Sequence, residues 1–185
     1  ASDFDNDGYR DIFVANGYRR DLFDGDIQQK QEMYIRANMS KYNSAEEMFS
    51  KGFKEYMSIY DPIKVRNYLF KNKGGLKFEN VSEAWGFKDS TFSNGAAVAD
   101  FDNDGDMDVI VGASSTSDGS HKYMRNNGNG TFSNITTGSG WDTNTTLNIE
   151  HVTYDFDNDG YADVLGGAGK IMFNNGDFTF FPVTY

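Results

Sequence analysis

Three runs of this 185-residue chain gather its aspartates: Asp3-Phe-Asp-Asn-Asp-Gly-Tyr-Arg-Asp11, Asp100-Phe-Asp-Asn-Asp-Gly-Asp-Met-Asp108 and Asp155-Phe-Asp-Asn-Asp-Gly-Tyr-Ala-Asp163. Each run puts carboxylates at positions 1, 3, 5 and 9, and a glycine at position 6 (Gly8, Gly105, Gly160). Carboxylates this close raise one another's proton affinity unless a cation lies among them. Calcium suits such a set, because it is a hard ion that takes about 6 to 8 oxygen ligands at roughly 2.3 to 2.6 Å. The expected ligands are the side chains of Asp3, Asp5, Asp7 and Asp11 with the Tyr9 carbonyl; Asp100, Asp102, Asp104 and Asp108 with the Asp106 carbonyl; and Asp155, Asp157, Asp159 and Asp163 with the Tyr161 carbonyl. That makes three Ca2+ sites. Asn6, Asn103 and Asn158 at position 4 are read as turn formers rather than ligands. An EF-hand opens in the same way, but it needs a bidentate Glu at position 12, where this chain has Val14, Val111 and Gly166.

The elements that must hold these loops are strands. Each loop runs into a short apolar segment ending in small residues: 11–17, 108–113 and 163–168. Segments 94–99 and 149–154 precede the second and third loops, so the loop joins two strands as a hairpin. A second pair follows in every repeat: 67–72 with 77–81, 122–126 with 131–135, and 170–174 with 178–182, each with an Asn/Gly turn between partners. The unit is four antiparallel strands, and such units repeated radially make a β-propeller. The fold class expected is therefore all-β, with about three blades, the first lacking its inner strand. Closure of the ring would take remaining blades from a parent chain or from self-association.

Asp155 follows Asp100 by 55 residues, whereas Asp100 follows Asp3 by 97. The excess falls in residues 21–60, which read as a helical insertion between strands 2 and 3 of the first blade. Its first half, Asp26 to Tyr42, carries Met33, Ile35, Ala37 and Met39 with poor phasing. The second half opens on the capping box Ser44-Ala-Glu-Glu47 and places Met48, Phe49, Phe53, Tyr56, Met57 and Tyr60 on one face, with Pro62 as its stop. This insertion is one candidate for a ligand-binding surface, with a plain cover as the alternative.

Formal charge is −11, from 28 acids and 17 bases. The loops hold 13 of the aspartates, so the rest of the chain is near balance, and no basic stripe offers itself to nucleic acid. With no cysteine there is no disulfide and no thiolate zinc site. No run of about 18 apolar residues predicts a membrane span. The opening on Ala1-Ser2-Asp3 suggests a piece of a longer protein.

Enzymatic signatures are missing. His121 and His151 are the only histidines, and His151 reads as a packed or surface residue of a strand. No nucleophile elbow or phosphate loop is present, and the paired acids are committed to metal. A calcium-dependent polysaccharide lyase or other carbohydrate-active enzyme is the alternative, requiring a base from elsewhere. Phe78, Phe132 and Phe178 are expected in the core, while Trp85, Trp141 and Tyr123 are candidates for a glycan-stacking surface.

The stretch Phe92-Ser-Asn-Gly-Ala-Ala-Val-Ala-Asp-Phe-Asp-Asn-Asp-Gly-Asp-Met-Asp-Val-Ile-Val-Gly-Ala113 resembles FG-GAP/VCBS repeats, the propeller repeats of integrin α-chains and of many secreted bacterial proteins. Residues 67–86 are similar to the bacterial VCBS proteins that often carry an ASPIC/UnbV domain. Phe92-Ser93 stands where the eponymous Phe-Gly is usual, and Gly166-Gly167 where a β-branched residue is usual. The resemblance implies an extracellular or cell-envelope module for adhesion or for binding a glycan or protein ligand, with calcium stiffening its blades.

Overall fold

A computed structural model describes residues 1–15, 25–59, 64–113, 121–140, 151–166 and 170–184. Along the chain these form β1 (Ile12–Val14), α1 (Gly25–Asn38), α2 (Ala45–Met57), β2 (Val65–Arg66), β3 (Tyr68–Asn72), β4 (Phe78–Asn80), β5 (Ser90–Thr91), β6 (Ser93–Ala99), β7 (Asp108–Ala113), β8 (Lys122–Asn126), β9 (Phe132–Asn134), β10 (Val152–Tyr154), β11 (Asp163–Gly166), β12 (Lys170–Asn174) and β13 (Phe180–Thr184). Two compact units result: Ala1–Gly17 with Lys64–Tyr185, and Tyr18–Ile63.

The first unit holds three antiparallel meanders with strand orders β1-β3-β4, β6-β7-β8-β9 and β10-β11-β12-β13. Short apolar runs broken by Asn/Gly turns have few other ways to satisfy their backbone groups. The first meander has three strands, and ahead of β1 a single bridge joins Ser2 to Asp11. A small ladder of β2 with β5, which sequence reading does not anticipate, pairs Val65 with Thr91 and Arg66 with Ser90. Beside it Asn67 Nδ2 donates to Ser93 Oγ at 3.0 Å, and Ser93 and Thr91 share a hydroxyl bond of 2.5 Å. The serine at the eponymous glycine position is thus buried and satisfied.

Side chains of the central meander serve two cores. Val109, Val111, Met124 and Phe132 pack with Phe4, Leu69, Val81 and Phe87 of the first repeat. Ala97, Phe101, Ile110 and Tyr123 pack with Val164, Met172 and Phe180 of the third. Period-two alternation along β7 and β8 sends neighbouring residues to opposite faces, and here both faces are covered. Tyr123 is fully buried and meets Phe101 and Phe180 edge-on at 5.7 and 5.5 Å, so it is core and not a glycan platform. Phe78 departs in the other direction: it is 42% exposed, because β4 is an edge strand whose three residues all face solvent. Phe132 is buried as expected, and Phe178 is partly buried against the core.

In the second unit, α1 ends at Asn38, and a turn of 3-10 helix, Met39–Lys41, takes up the expected tail of the first helix. Ile27 is its buried residue, whereas Met33 and Met39 are exposed. The capping box before α2 forms with one change. Ser44 Oγ accepts the Glu47 N–H at 3.1 Å, while the Glu47 carboxylate reaches one residue further back, to the Asn43 N–H at 2.8 Å. Together with Lys51, whose ammonium donates to it at 2.7 Å, this holds the Glu47 carboxyl down at about 2. Met48 is buried on the expected face. The side chains of Phe49, Phe53 and Tyr56 lie outside the described set, and so do residues Asn16, Gly17, 21–24, Tyr60, Pro62, Trp141, 149–150, Gly167 and Ala168. Among the described residues no helix is long and apolar enough to cross a membrane.

Candidate metal centres

The three acidic loops close in the same way. The position-1 carboxylate accepts the N–H groups of positions 5 and 6: Asp3 from Asp7 and Gly8 at 3.1 and 2.8 Å, Asp100 from Asp104 and Gly105 at 3.1 and 2.9 Å, and Asp155 from Asp159 and Gly160 at 3.1 and 3.0 Å. Position 4 is left-handed in each, with φ of 56° to 60° at Asn6, Asn103 and Asn158, and the glycines at position 6 have φ of 89° to 95°. Asparagine tolerates the first conformation and glycine the second. The turn-forming reading of these asparagines therefore matches their backbone. The position-5 carboxylate accepts the position-7 N–H, at 2.9 Å for Asp7 to Tyr9, 2.9 Å for Asp104 to Asp106 and 2.8 Å for Asp159 to Tyr161.

Position 9 is the anchor. Asp11, Asp108 and Asp163 are fully buried at the entry to β1, β7 and β11. Each takes two backbone donors. One is the N–H of the loop phenylalanine, Phe4, Phe101 or Phe156, at 2.9, 3.0 and 2.8 Å; the other is the N–H of Asn72, Asn126 or Asn174, at 2.8, 2.7 and 2.9 Å. Each carboxylate oxygen has a second lone pair beyond these bonds.

Carboxylate oxygens of positions 1, 3 and 9 converge within 4.8 Å of one another in all three loops: Asp3, Asp5 and Asp11; Asp100, Asp102 and Asp108; Asp155, Asp157 and Asp163. Asp7, Asp104 and Asp159 stand outside that inner group, held by their position-7 bonds. Burial without a cation is unfavourable for these acids. It pushes Asp108 up to about 7 and Asp102 up to about 6, the latter with help from the Asp104 charge, and it raises Asp11 and Asp163 as well. Asp5 Oδ1 and Asp102 Oδ1 are buried with no hydrogen-bond partner. Orphaned carboxylate oxygens facing converging acids are what a hard divalent ion would satisfy, so the donor set fits calcium. The ion would supply the positive charge and the remaining coordination, and the chain supplies an all-oxygen cage that is already closed.

Two features of this site escape sequence reading. The asparagine ending the third strand of each repeat was legible only as turn chemistry, and its Oδ1 does accept from Gly74, Gly128 and Gly176 at 2.9, 3.2 and 2.9 Å. Its Nδ2 does more. Asn126 donates to Phe4 O at 2.8 Å, and Asn174 to Phe101 O at 2.6 Å, so each ties its own repeat to the loop of the one before. The loops also touch directly, through Asn6 Nδ2 and Asp106 Oδ1 at 2.6 Å. The threefold recurrence of Asn before a turn was the available signal.

Among the described residues, the two histidines and Trp85 stand outside the three acid groups. His151 lies just ahead of β10, packed on Gly112 and 6.2 Å from His121 ring to ring, and burial lowers its pKa to about 4. Trp85 is half-buried against the core beside the first loop.

The FG-GAP-like repeat family matches residues 51–111 and 113–166, and the FG-GAP repeat matches residues 92–132, spanning the second loop and its meander. Among curated proteins none matches the chain. With repeat matches over more than half its length and the same acid cage built three times, the chain belongs to the FG-GAP repeat family.

Proposed function

We propose that the chain is a segment of a calcium-stabilised β-propeller that works outside the cell, or at its envelope, as an adhesion or glycan/protein-binding module without enzymatic activity. The observation that carries the calcium reading is the pair of buried, unpartnered carboxylate oxygens, Asp5 Oδ1 and Asp102 Oδ1, each within a convergent three-acid cage. A propeller is supported by the serial packing of the meanders and by the repeated asparagine link between neighbours. It is supported also by the end faces. Val109 and Val111 are buried against the preceding repeat, while their counterparts Ile12 and Val14 are 38% and 39% exposed. Ala97 and Ala99 pack toward the following repeat, while their counterparts Val152 and Tyr154 are 58% and 66% exposed. These half-exposed strand faces support a neighbouring repeat at either end, from a parent chain or from another copy.

Structural calcium has a defined signature. Equilibrium dialysis should find three ions bound per chain, and thermal stability should rise with free calcium by RT ln(1 + [L]/Kd) per site, about 2.7 kcal/mol at a hundredfold excess over Kd. An identical melting curve in calcium and in chelator would remove the reading. In parallel, the calcium-loaded chain incubated with acidic polysaccharides should yield no unsaturated products; sustained product formation would place it among lyases instead.

A further inference from the structure

The residue before the linking asparagine differs among the three repeats: Lys71, Arg125 and Phe173. In the first repeat the Lys71 ammonium is bonded to Asp5 Oδ2 and lies 3.0 Å from Asp7 Oδ2, so it bridges the carboxylates of positions 3 and 5. It is well enclosed, with only 20% of its side chain exposed and the Trp85 ring 5.9 Å away. Asp5 Oδ1 stays buried and unpartnered beside this bond. The lysine therefore answers half of the carboxylate and leaves the other half for a metal.

The second repeat repeats the arrangement more loosely. Arg125 Nε stands 3.5 Å from Asp102 Oδ2, and its Nη2 3.9 Å from Asp104 Oδ2, with the guanidinium 4.4 Å over the Phe178 ring. In the third repeat the position holds Phe173, buried and stacked on Phe181 at 5.6 Å. Among the described residues no ion pair falls on Asp157 or Asp159. Three cages with the same acid spacing thus differ in the charge set beside positions 3 and 5.

We propose that Lys71 is a built-in counter-ion of the first loop, which lowers that loop's calcium affinity below that of the third and keeps the loop closed when calcium is scarce. Arg125 acts in the same sense on the second loop, more weakly because its contacts are longer. The inference rests on the calcium reading of the loops. Its physical basis is simple: a fixed cation within about 4 Å of two ligands repels an incoming divalent ion, and it also replaces part of the attraction the empty cage lacks. Loss of the lysine should therefore move the two states in opposite directions.

The test is isothermal titration of calcium into the whole chain at low ionic strength, with thermal melts in chelator, for wild type, Lys71→Met and Lys71→Arg. For Lys71→Met one of the binding steps should tighten by about tenfold, an order of magnitude set by screened Coulomb interaction, and the chelator melt should fall below wild type. Lys71→Arg, which keeps the charge, should leave the titration near wild type. Phe173→Lys provides the reverse case, in which a step belonging to the third loop should weaken. Wild-type and Lys71→Met isotherms that coincide would overturn this inference while leaving the calcium reading intact. Absence of calcium binding in every variant would overturn both.

Discussion

Asp108→Ala is expected to cost the chain one bound calcium and roughly 4 kcal/mol of stability in excess calcium, but only about 1 kcal/mol in chelator. Two opposed effects meet at this side chain. The carboxylate holds the buried N–H groups of Phe101 and Asn126, at 3.0 and 2.7 Å, and orphaning two such donors costs about 1 to 3 kcal/mol each. Against this, burial pushes the Asp108 carboxyl up to about 7, so the ionised form is itself unfavourable in an empty cage, and its removal gives relief of comparable size. In chelator the two effects largely cancel. With calcium the carboxylate is neutralised by the ion, the relief disappears, and the whole loss is seen. For a chain of this length the loss with calcium corresponds to a fall in melting temperature of roughly 8 to 16 °C. Melting curves with and without calcium, joined to a count of bound ions, measure it. Equal destabilisation under both conditions would make Asp108 a hydrogen-bond staple and nothing more.

Asn126→Ala should destabilise the chain by about 3 kcal/mol, whereas Asn72→Ala, at the matching position of the first repeat, should cost about 1 kcal/mol or less. Asn126 is fully buried, and its Nδ2 serves both Phe4 O at 2.8 Å and Met107 O at 3.2 Å. The Asn72 Nδ2 donates to Arg10 O, at 3.1 Å in an exposed setting, while its Oδ1 accepts the Gly74 N–H at 2.9 Å as its counterpart accepts that of Gly128 at 3.2 Å. The difference between the variants therefore isolates the bond that crosses from one repeat to the next. Urea denaturation with an unchanged slope gives both values. Equal losses would show that the asparagine matters only as a turn former.

Strand positions and the acid cages were legible because they are local. Alternation, β-branching and Asn/Gly turns mark β6 to β9 and β10 to β13 directly, and the 1-3-5-9 spacing of aspartates needs only its own loop to be recognised. What escaped is what depends on a neighbour far along the chain. Nothing in the period of Lys122-Tyr-Met-Arg-Asn126 tells which face meets another sheet, so Tyr123 looked available for ligands, although Phe101 and Phe180 enclose it. Phe78 is expected in the core because propeller strands and turns use many aromatics there, yet β4 is an edge strand. The Asn126 link to Phe4 joins residues 122 positions apart, and the Lys71 contact with Asp5 joins residues 66 apart. Pairs of that kind become visible only once the sheets are stacked.

The two-faced packing of β7 bears on how the chain folds. Val109 and Val111 belong to one core and Ile110 to the other, so no meander owns a complete hydrophobic core of its own. Stability then resides in the boundaries between repeats more than in the repeats, as in a one-dimensional array with nearest-neighbour coupling. Damage to the central meander is felt in both cores at once, because its strands line each of them. The second repeat is what couples the first to the third.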